Sequence, residues 1–147
     1  MLSFNYRARV SDPNGQDICA IVNPDKSDVR FSIKKVLITT SSRSRVLMIV
    51  KKDGQVSPDE TVLEGMISTS DPEDTKPIRA IAILRPDMPE PWASGRFFTI
   101  PDAGLSQIAT ASDDIVIPPG YRLGIRVIPY EVGQQATVDI SFKQEPK

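Results

Sequence analysis

Residues 113–142 read DDIVIPPGYRLGIRVIPYEVGQQATVDISF. This stretch contains an apolar segment, Ile115 to Ile117, and two segments in which apolar residues recur at every second position, Tyr121 to Ile128 and Val138 to Phe142. A Pro118-Pro119-Gly120 turn separates the first two segments, and a turn at Gly133 separates the last two. Alternation with a period of two is typical of a strand that buries one face. The stretch therefore predicts three successive antiparallel strands, in a meander or as part of a Greek key.

A second pair of strands is predicted in residues 31–54, FSIKKVLITTSSRSRVLMIVKKDG. The first strand of this pair has one apolar face, whose alternation shifts at the Lys34-Lys35 pair. Val46 to Val50 is a continuous apolar run, as expected of a strand that is covered on both faces. The Asp53-Gly54 pair favours the positive φ of a tight turn and ends the second strand.

The rest of the chain continues this pattern of strands and turns. Thirteen prolines and eight glycines divide it into short segments, and no stretch sustains the apolar spacing of a long amphipathic helix. Further strands are predicted at residues 61–68 and 78–84, and the apolar stretch resumes at residues 97–100. Residues 105–109 fit either a helical turn or a strand edge. About eight apolar-faced strands need a second sheet to bury them, so we predict an all-β, antiparallel β-sandwich.

The N-terminal segment, residues 1–28, is predicted to be an extended arm, with residues 29–147 forming a single sandwich domain. Phe4, Tyr6, Ala8 and Val10 alternate only briefly before a turn at residues 12–15. A short apolar run, Ile18 to Val22, follows and ends in another polar segment. Such a segment could extend away from the sandwich to contact a neighbour.

Composition limits the classes of function. The chain has 147 residues, 39% of them hydrophobic, and a formal net charge of −1. A chain of this length is expected to form one hydrophobic core. Because the net charge is close to zero, the domain as a whole has no positive electrostatic potential that would attract nucleic acid or an anionic membrane. The first twenty residues lack the apolar core of a signal peptide, and no later run reaches the length of a membrane span. We expect a soluble protein that is not exported by an N-terminal secretory signal.

The absence of histidine is the strongest constraint on chemistry. Histidine is the commonest general base and metal ligand, so a catalytic triad built on it is excluded. Cys19 is the only cysteine, which excludes an intrachain disulfide and a multi-cysteine metal site. We therefore predict a protein that is not an enzyme, with no catalytic residues, no cofactor, no metal and no small-molecule substrate.

One turn has the residues of a calcium site. Asp12, Asn14 and Asp17 surround Gly15, and oxygen side chains around a glycine turn can bind calcium. The spacing lacks the bidentate glutamate of an EF-hand loop, and an Asp-Pro-Asn-Gly turn uses the same residues for backbone reasons. We favour the turn, and we interpret the acidic segment with Asp71, Glu73 and Asp74 as a solvated loop in the same way.

Catalytic alternatives have weaker support. The carboxylate pairs Asp113 with Asp114 and Glu60 with Glu64 could in principle cleave a glycosidic bond, but their spacing does not set the required geometry. A serine cluster (Ser41, Ser42 and Ser44) has no histidine to activate it, so a serine-rich turn is the simpler interpretation.

Five residues are candidates for a protein interface. Arg43 and Arg45 lie at a predicted hairpin tip, where they could meet an acidic partner, although such a patch is usually solvated surface. Trp92 lies among three prolines in residues 86–95, which predict an ordered loop without regular strand pairing. It could anchor an interface or close one end of the core. Phe4 and Tyr6 complete the set, as the apolar residues of the arm.

Residues 113–142 resemble the closing strands of small jelly-roll proteins found on tailed-phage particles. Residues 31–54 are similar to the opening hairpin of those proteins. The resemblance implies a jelly-roll-like virion structural protein, most closely a capsid decoration or cement protein on the capsid surface, made in the host cytoplasm. Its implied partners are the major capsid protein and copies of itself, as a homotrimer, with neither nucleic acid nor membrane. The arm would clasp neighbouring subunits.

Two other classes of function remain open. A receptor-binding or glycan-binding jelly-roll head of a tail or fibre protein would present Trp92, Tyr121 or Tyr130 as a stacking platform. An enzyme of the carboxylate-pair type would need two acids in one cleft, with at least one perturbed pKa.

Overall fold

The protein is a sandwich of two antiparallel β-sheets. A computed structural model describes residues 1–63, 67–69, 77–84, 86, 88, 94–100, 104–109 and 115–147. All regular structure within these residues is β-strand, and the strands form two six-stranded sheets with a common hydrophobic core. The predicted all-β, antiparallel sandwich is confirmed. No helix in these ranges has the length and apolar character needed to cross a membrane.

The first sheet has the strand order β10-β3-β12-β1-β6, and β9 also pairs with β3. Its strands are β1 (Leu2–Val10), β3 (Val29–Thr40), β6 (Ile67–Thr69), β9 (Gly104–Ala109), β10 (Val116–Ile117) and β12 (Gln134–Pro146). Residues 105–109, for which the sequence leaves a helical turn or a strand edge open, therefore belong to a strand.

The second sheet has the order β5-β7-β2-β11-β4-β8. Its strands are β2 (Gln16–Val22), β4 (Ser44–Lys51), β5 (Thr61–Val62), β7 (Ile81–Leu84), β8 (Ser94–Ile100) and β11 (Arg122–Pro129). The single strand predicted at residues 61–68 is corrected, because β5 and β6 are short strands that belong to different sheets.

The last two strands, β11 and β12, lie in the middle of different sheets. The meander predicted for residues 113–142 is therefore corrected: β10, β11 and β12 alternate between the two sheets and do not pair with one another. β12 lies between β1 and β3, and β11 lies between β2 and β4. The β1–β2, β3–β4 and β11–β12 turns consequently meet at one end of the sandwich. Two backbone hydrogen bonds link them: Gly133 N donates to Val10 O at 2.7 Å, and Tyr130 N donates to Arg43 O at 3.2 Å. We call this end, with residues 11–15, 41–43 and 130–133, the loop end.

A β-bulge at the lysine pair keeps the apolar face of β3 directed at the core. Lys35 pairs with Ser141, but the next pair along is Ile33 with Phe142, so Lys34 is an extra residue on its strand. Ile33 and Val36 are both fully buried as a result. The register shift predicted at Lys34-Lys35 is confirmed.

Residues 1–28 are part of the sandwich, which corrects their interpretation as an arm. β1 pairs with β12 on one side and β6 on the other, and β2 lies between β7 and β11. The brief alternation in this segment is the core-facing pattern of an interior strand: Leu2, Phe4 and Val10 are buried. Residue 28 therefore does not divide an arm from a domain.

Parts of the second sheet are buried on both faces. Val46 and Met48 face the first sheet, whereas Leu47 and Ile49 pack with Met88 on the opposite side. The β4–β5 connection covers another part of this outer face, where Val56 packs against a small cluster of β2 and β7 side chains. The prediction that the Val46 to Val50 run is covered on both faces is confirmed.

Candidate binding surface at the loop end

The β11–β12 turn presents two large apolar side chains to solvent. Tyr130 is 55% exposed and Val132 is 59% exposed. Gly133 closes the turn with a φ of 91°, in the left-handed region that favours glycine. The turn thus holds Tyr130 and Val132 outward on a backbone that is bonded to both neighbouring turns. We call Tyr130 and Val132 the ridge.

Arg43 packs on one side of the ridge. Its guanidinium carbon lies 4.6 Å from the centre of the Tyr130 ring, within the range of a cation–π contact. The contact joins a predicted interface residue to a tyrosine 87 positions later in the chain. The sequence predicts Tyr130 only as a sugar-stacking residue. Its position three residues before the turn glycine Gly133 is the feature that could have indicated an exposed aromatic at a turn.

Arg9 lies on the other side of the ridge. Its Nη2 atom is 3.3 Å from the position that a Cβ atom would occupy on Gly133. Neither Arg9 nor Arg43 forms a salt bridge with a carboxylate among the residues that the structure describes. Two guanidinium groups that form no salt bridge within the described residues therefore lie at the two ends of the turn that carries the ridge. Arg9 was not among the interface residues predicted from the sequence.

Hydrogen bonds from the serine cluster hold the loop end in place. The Gln134 Oε1 atom accepts hydrogen bonds from the Ser42 backbone N at 3.1 Å and from the Ser42 hydroxyl at 3.0 Å. The Gln135 backbone N donates to the Ser41 hydroxyl at 2.9 Å, and the Ser44 hydroxyl donates to Ser42 O at 3.1 Å. These contacts support the interpretation of the cluster as a serine-rich turn.

The structure does not assemble the predicted interface residues into one surface. Phe4 is fully buried, so its assignment to an exposed interface is corrected: it faces the core of an interior strand. Tyr6 is half-buried, packs against the core and stacks on Phe4 with ring centres 6.5 Å apart. Arg45 is exposed on β4, beside Ile128 of β11. Trp92 lies outside the described residues.

The carboxylates of the possible calcium turn have protein partners. Asp12 Oδ1 accepts a hydrogen bond from Asn14 N at 2.9 Å, and the Arg126 Nε donates to Asp17 Oδ1 at 2.7 Å. A shallow depression of about 400 Å³ lies beside them, lined in part by Gly15 and Pro86. No group of three or more acidic or cysteine residues in the described ranges is placed to hold a metal ion.

Three residues of the catalytic and sugar-binding alternatives also have contacts within the protein. Glu60 is occupied by an ion pair with the buried Arg122. Its proposed partner Glu64, the pair at 113 and 114, and the acidic loop at 71–74 lie outside the described residues. Tyr121 is half-buried against the core, and Arg43 covers one face of the Tyr130 ring.

Comparisons of the chain with protein-family models, with curated proteins and with solved structures found no match.

Proposed function

We propose that this chain is a structural protein of a tailed-phage particle, a capsid decoration or cement protein that binds the major capsid protein through its loop end. The observation that carries the binding role is the contact between Arg43 and Tyr130, which holds an exposed aromatic ring beside an exposed Val132. In this proposal the protein acts by surface complementarity, bridging neighbouring capsomers as a homotrimer.

The strand order supports a jelly roll as the basis of this role. A jelly roll has eight strands in two sheets with Greek-key connections. Here four strands in the order β1-β12-β3-β9 face four in the order β2-β11-β4-β8, and the consecutive strands β11 and β12 each lie inside one of the two sets. β5, β6 and β7 lie between β4 and β8 in the chain. β6 extends the first sheet beyond β1, and β7 and β5 extend the second sheet beyond β2.

The composition of the ridge supports a protein partner. Tyrosine and arginine are enriched where alanine substitution most weakens protein interfaces. The hydrogen bonds of the loop end hold the turn in place before any partner binds, so binding has a small ordering cost. The Arg43 guanidinium occupies one face of the Tyr130 ring, which favours a protein contact over sugar stacking at this site.

Light scattering and particle binding test the proposal together. We expect the purified protein to be a stable trimer and to co-sediment with capsids of the tailed phage that encodes it. Tyr130→Ser with Val132→Ser should weaken co-sedimentation at least about tenfold, because both exposed anchors are lost. Val62→Ser with Ile78→Ser is the matched control, since these apolar residues are similarly exposed, at 45% and 43%, outside the loop end.

A monomer that ignores capsids but is retained on a glycan array would contradict the proposal and favour the receptor-binding head. Equal loss of binding in the control variant would show that general surface apolarity, and not the ridge, carries the interaction.

A further inference from the structure

We infer that the ridge binds a protein pocket that is apolar at its centre and has carboxylates on its rim. This inference rests on the proposed function and names the chemistry of the partner. It is carried by one arrangement: the exposed Tyr130 and Val132 side chains lie on a turn between two guanidinium groups that have no salt bridge in the described part of the chain.

The centre of the pocket follows from the exposure of the ridge. Val132 has only methyl groups to offer a partner, and more than half of its surface is accessible. Burying that surface is favourable only against another apolar surface. Tyr130 adds a large area at a low cost in side-chain entropy. The partner therefore needs an apolar depression that can receive both side chains.

The rim of the pocket follows from the two arginines. Arg43 lies at the Tyr130 end of the turn, and Arg9 lies at the Gly133 end. Docking the ridge removes water from both guanidinium groups, and a desolvated charge destabilises a complex unless an opposite charge meets it. Carboxylates are the protein groups that match a guanidinium fork. One acidic group near each end of the pocket would satisfy this requirement.

Nucleic acid fits the same surface less well. Asp12 and Glu131 are also exposed at the loop end, so this surface lacks the net positive charge that a polyanion requires, whereas two separate carboxylates need only meet the two guanidinium groups. Single-stranded nucleic acid also binds by stacking bases on aromatic faces, and Arg43 already covers one face of the Tyr130 ring. We therefore assign the surface to a protein partner.

Selection of peptides from a random displayed library tests the assignment and does not require the partner to be identified. The immobilised protein should enrich peptides that combine apolar residues with Asp or Glu. An Arg9→Glu/Arg43→Glu variant should bind those peptides at least about tenfold more weakly, and should itself enrich peptides that carry Lys or Arg. Arg7→Glu/Lys143→Glu is the matched control, because these exposed residues of β1 and β12 give the same change in net charge. It should select the same peptides as the unchanged protein.

Three results would overturn the inference: selected peptides without acidic enrichment, an unchanged selection by the Arg9/Arg43 variant, or retention of a labelled oligonucleotide at physiological salt in place of peptides. Melting temperatures of both charge variants check that they fold.

Capsid binding separates this inference from the proposed function. If acidic peptides are selected but capsids do not bind the chain, the proposed function fails and the pocket chemistry stands. If capsids bind the Arg9→Glu/Arg43→Glu variant as well as the unchanged protein, the pocket chemistry fails and the capsid role stands.

Discussion

The Arg122 guanidinium and the Glu60 carboxylate form an ion pair that is almost completely shielded from solvent. Nη1 lies 2.6 Å from Oε2, and the side chains are 0% and 4% exposed. Two backbone carbonyls also accept from this guanidinium, Gln55 O at 2.6 Å and Asp53 O at 3.0 Å. Arg122 is on β11, so it fastens the β4–β5 connection to the outer face of the second sheet.

Removing Arg122 should destabilise the protein strongly. Arg122→Met removes the positive charge that lies against the buried Glu60 carboxylate, and breaking a buried pair in this way costs about 3–5 kcal/mol. Urea denaturation measures the change in the free energy of unfolding. Arg30→Met is the control, because its pair with Glu145 is partly exposed and worth about 0–1 kcal/mol. Similar losses from the two substitutions would contradict a special role for the buried pair.

Gly124→Ala should push the Met88 side chain away from β11. A Cβ atom at residue 124 would lie 2.8 Å from Met88 Cε and 2.9 Å from its Cγ. Overpacking of this kind costs about 1–3 kcal/mol. A double-mutant cycle with Met88→Ala isolates the clash, because the double variant should lose less stability than the sum of the single variants. If the losses of stability are additive, the destabilisation by Gly124→Ala does not come from a clash with Met88.

Cys19 should react with thiol reagents only when the protein unfolds. The side chain is fully buried, and burial raises the pKa of its thiol well above the ordinary value. At pH 8, modification by iodoacetamide should therefore follow the rate or population of unfolding, and urea should accelerate it. Rapid modification of the folded protein would contradict the burial of Cys19.

The same raised pKa predicts a loss of stability in alkali. Above pH about 8.5, the unfolded thiol releases its proton while the folded thiol keeps it, so the unfolded state binds fewer protons. The free energy of unfolding should then fall as pH rises, with a limiting contribution of about 1.4 kcal/mol per pH unit from this group. Cys19→Ala should fall less steeply between pH 8.5 and 10. If the free energy of unfolding falls equally steeply with pH in the two proteins, the Cys19 thiol does not contribute to the pH dependence.

β1 should be essential to folding. Phe4→Ala removes a fully buried ring from an interior strand and should cost about 3–5 kcal/mol. Its neighbour Asn5 is exposed on the outer face of the same strand, so Asn5→Ala should change stability by less than about 0.5 kcal/mol. Circular dichroism of a chain lacking residues 1–10 extends the test. A cooperative thermal transition in that chain would restore the arm interpretation.

The candidate site could be predicted only in part. The sequence predicts Arg43 at a hairpin tip; the structure places it at an exposed turn, but the turn connects β3 and β4, which belong to different sheets. Its partners Tyr130 and Arg9 come from distant positions, and only the pairing of β12 with β1 and β3 brings the three turns to one end. A charge pattern along one segment contains no information about which other turns lie beside it.

The sequence by itself determined the fold class and the local strand pattern, because alternation and burial of side chains depend on neighbouring residues in the same segment. The bulge at Lys34-Lys35 and the double burial of the Val46 to Val50 run were both present in that local pattern. Only the tertiary structure decided that residues 1–28 are interior strands, that Phe4 belongs to the core and that Arg122 is buried. A brief alternation fits an arm or an interior strand equally well until its partner strands are known. The hydrogen bonds to those partners, and the apolar area buried against the facing sheet, come from distant parts of the chain: β12 and β11 near its end, and β6 and β7 in its middle.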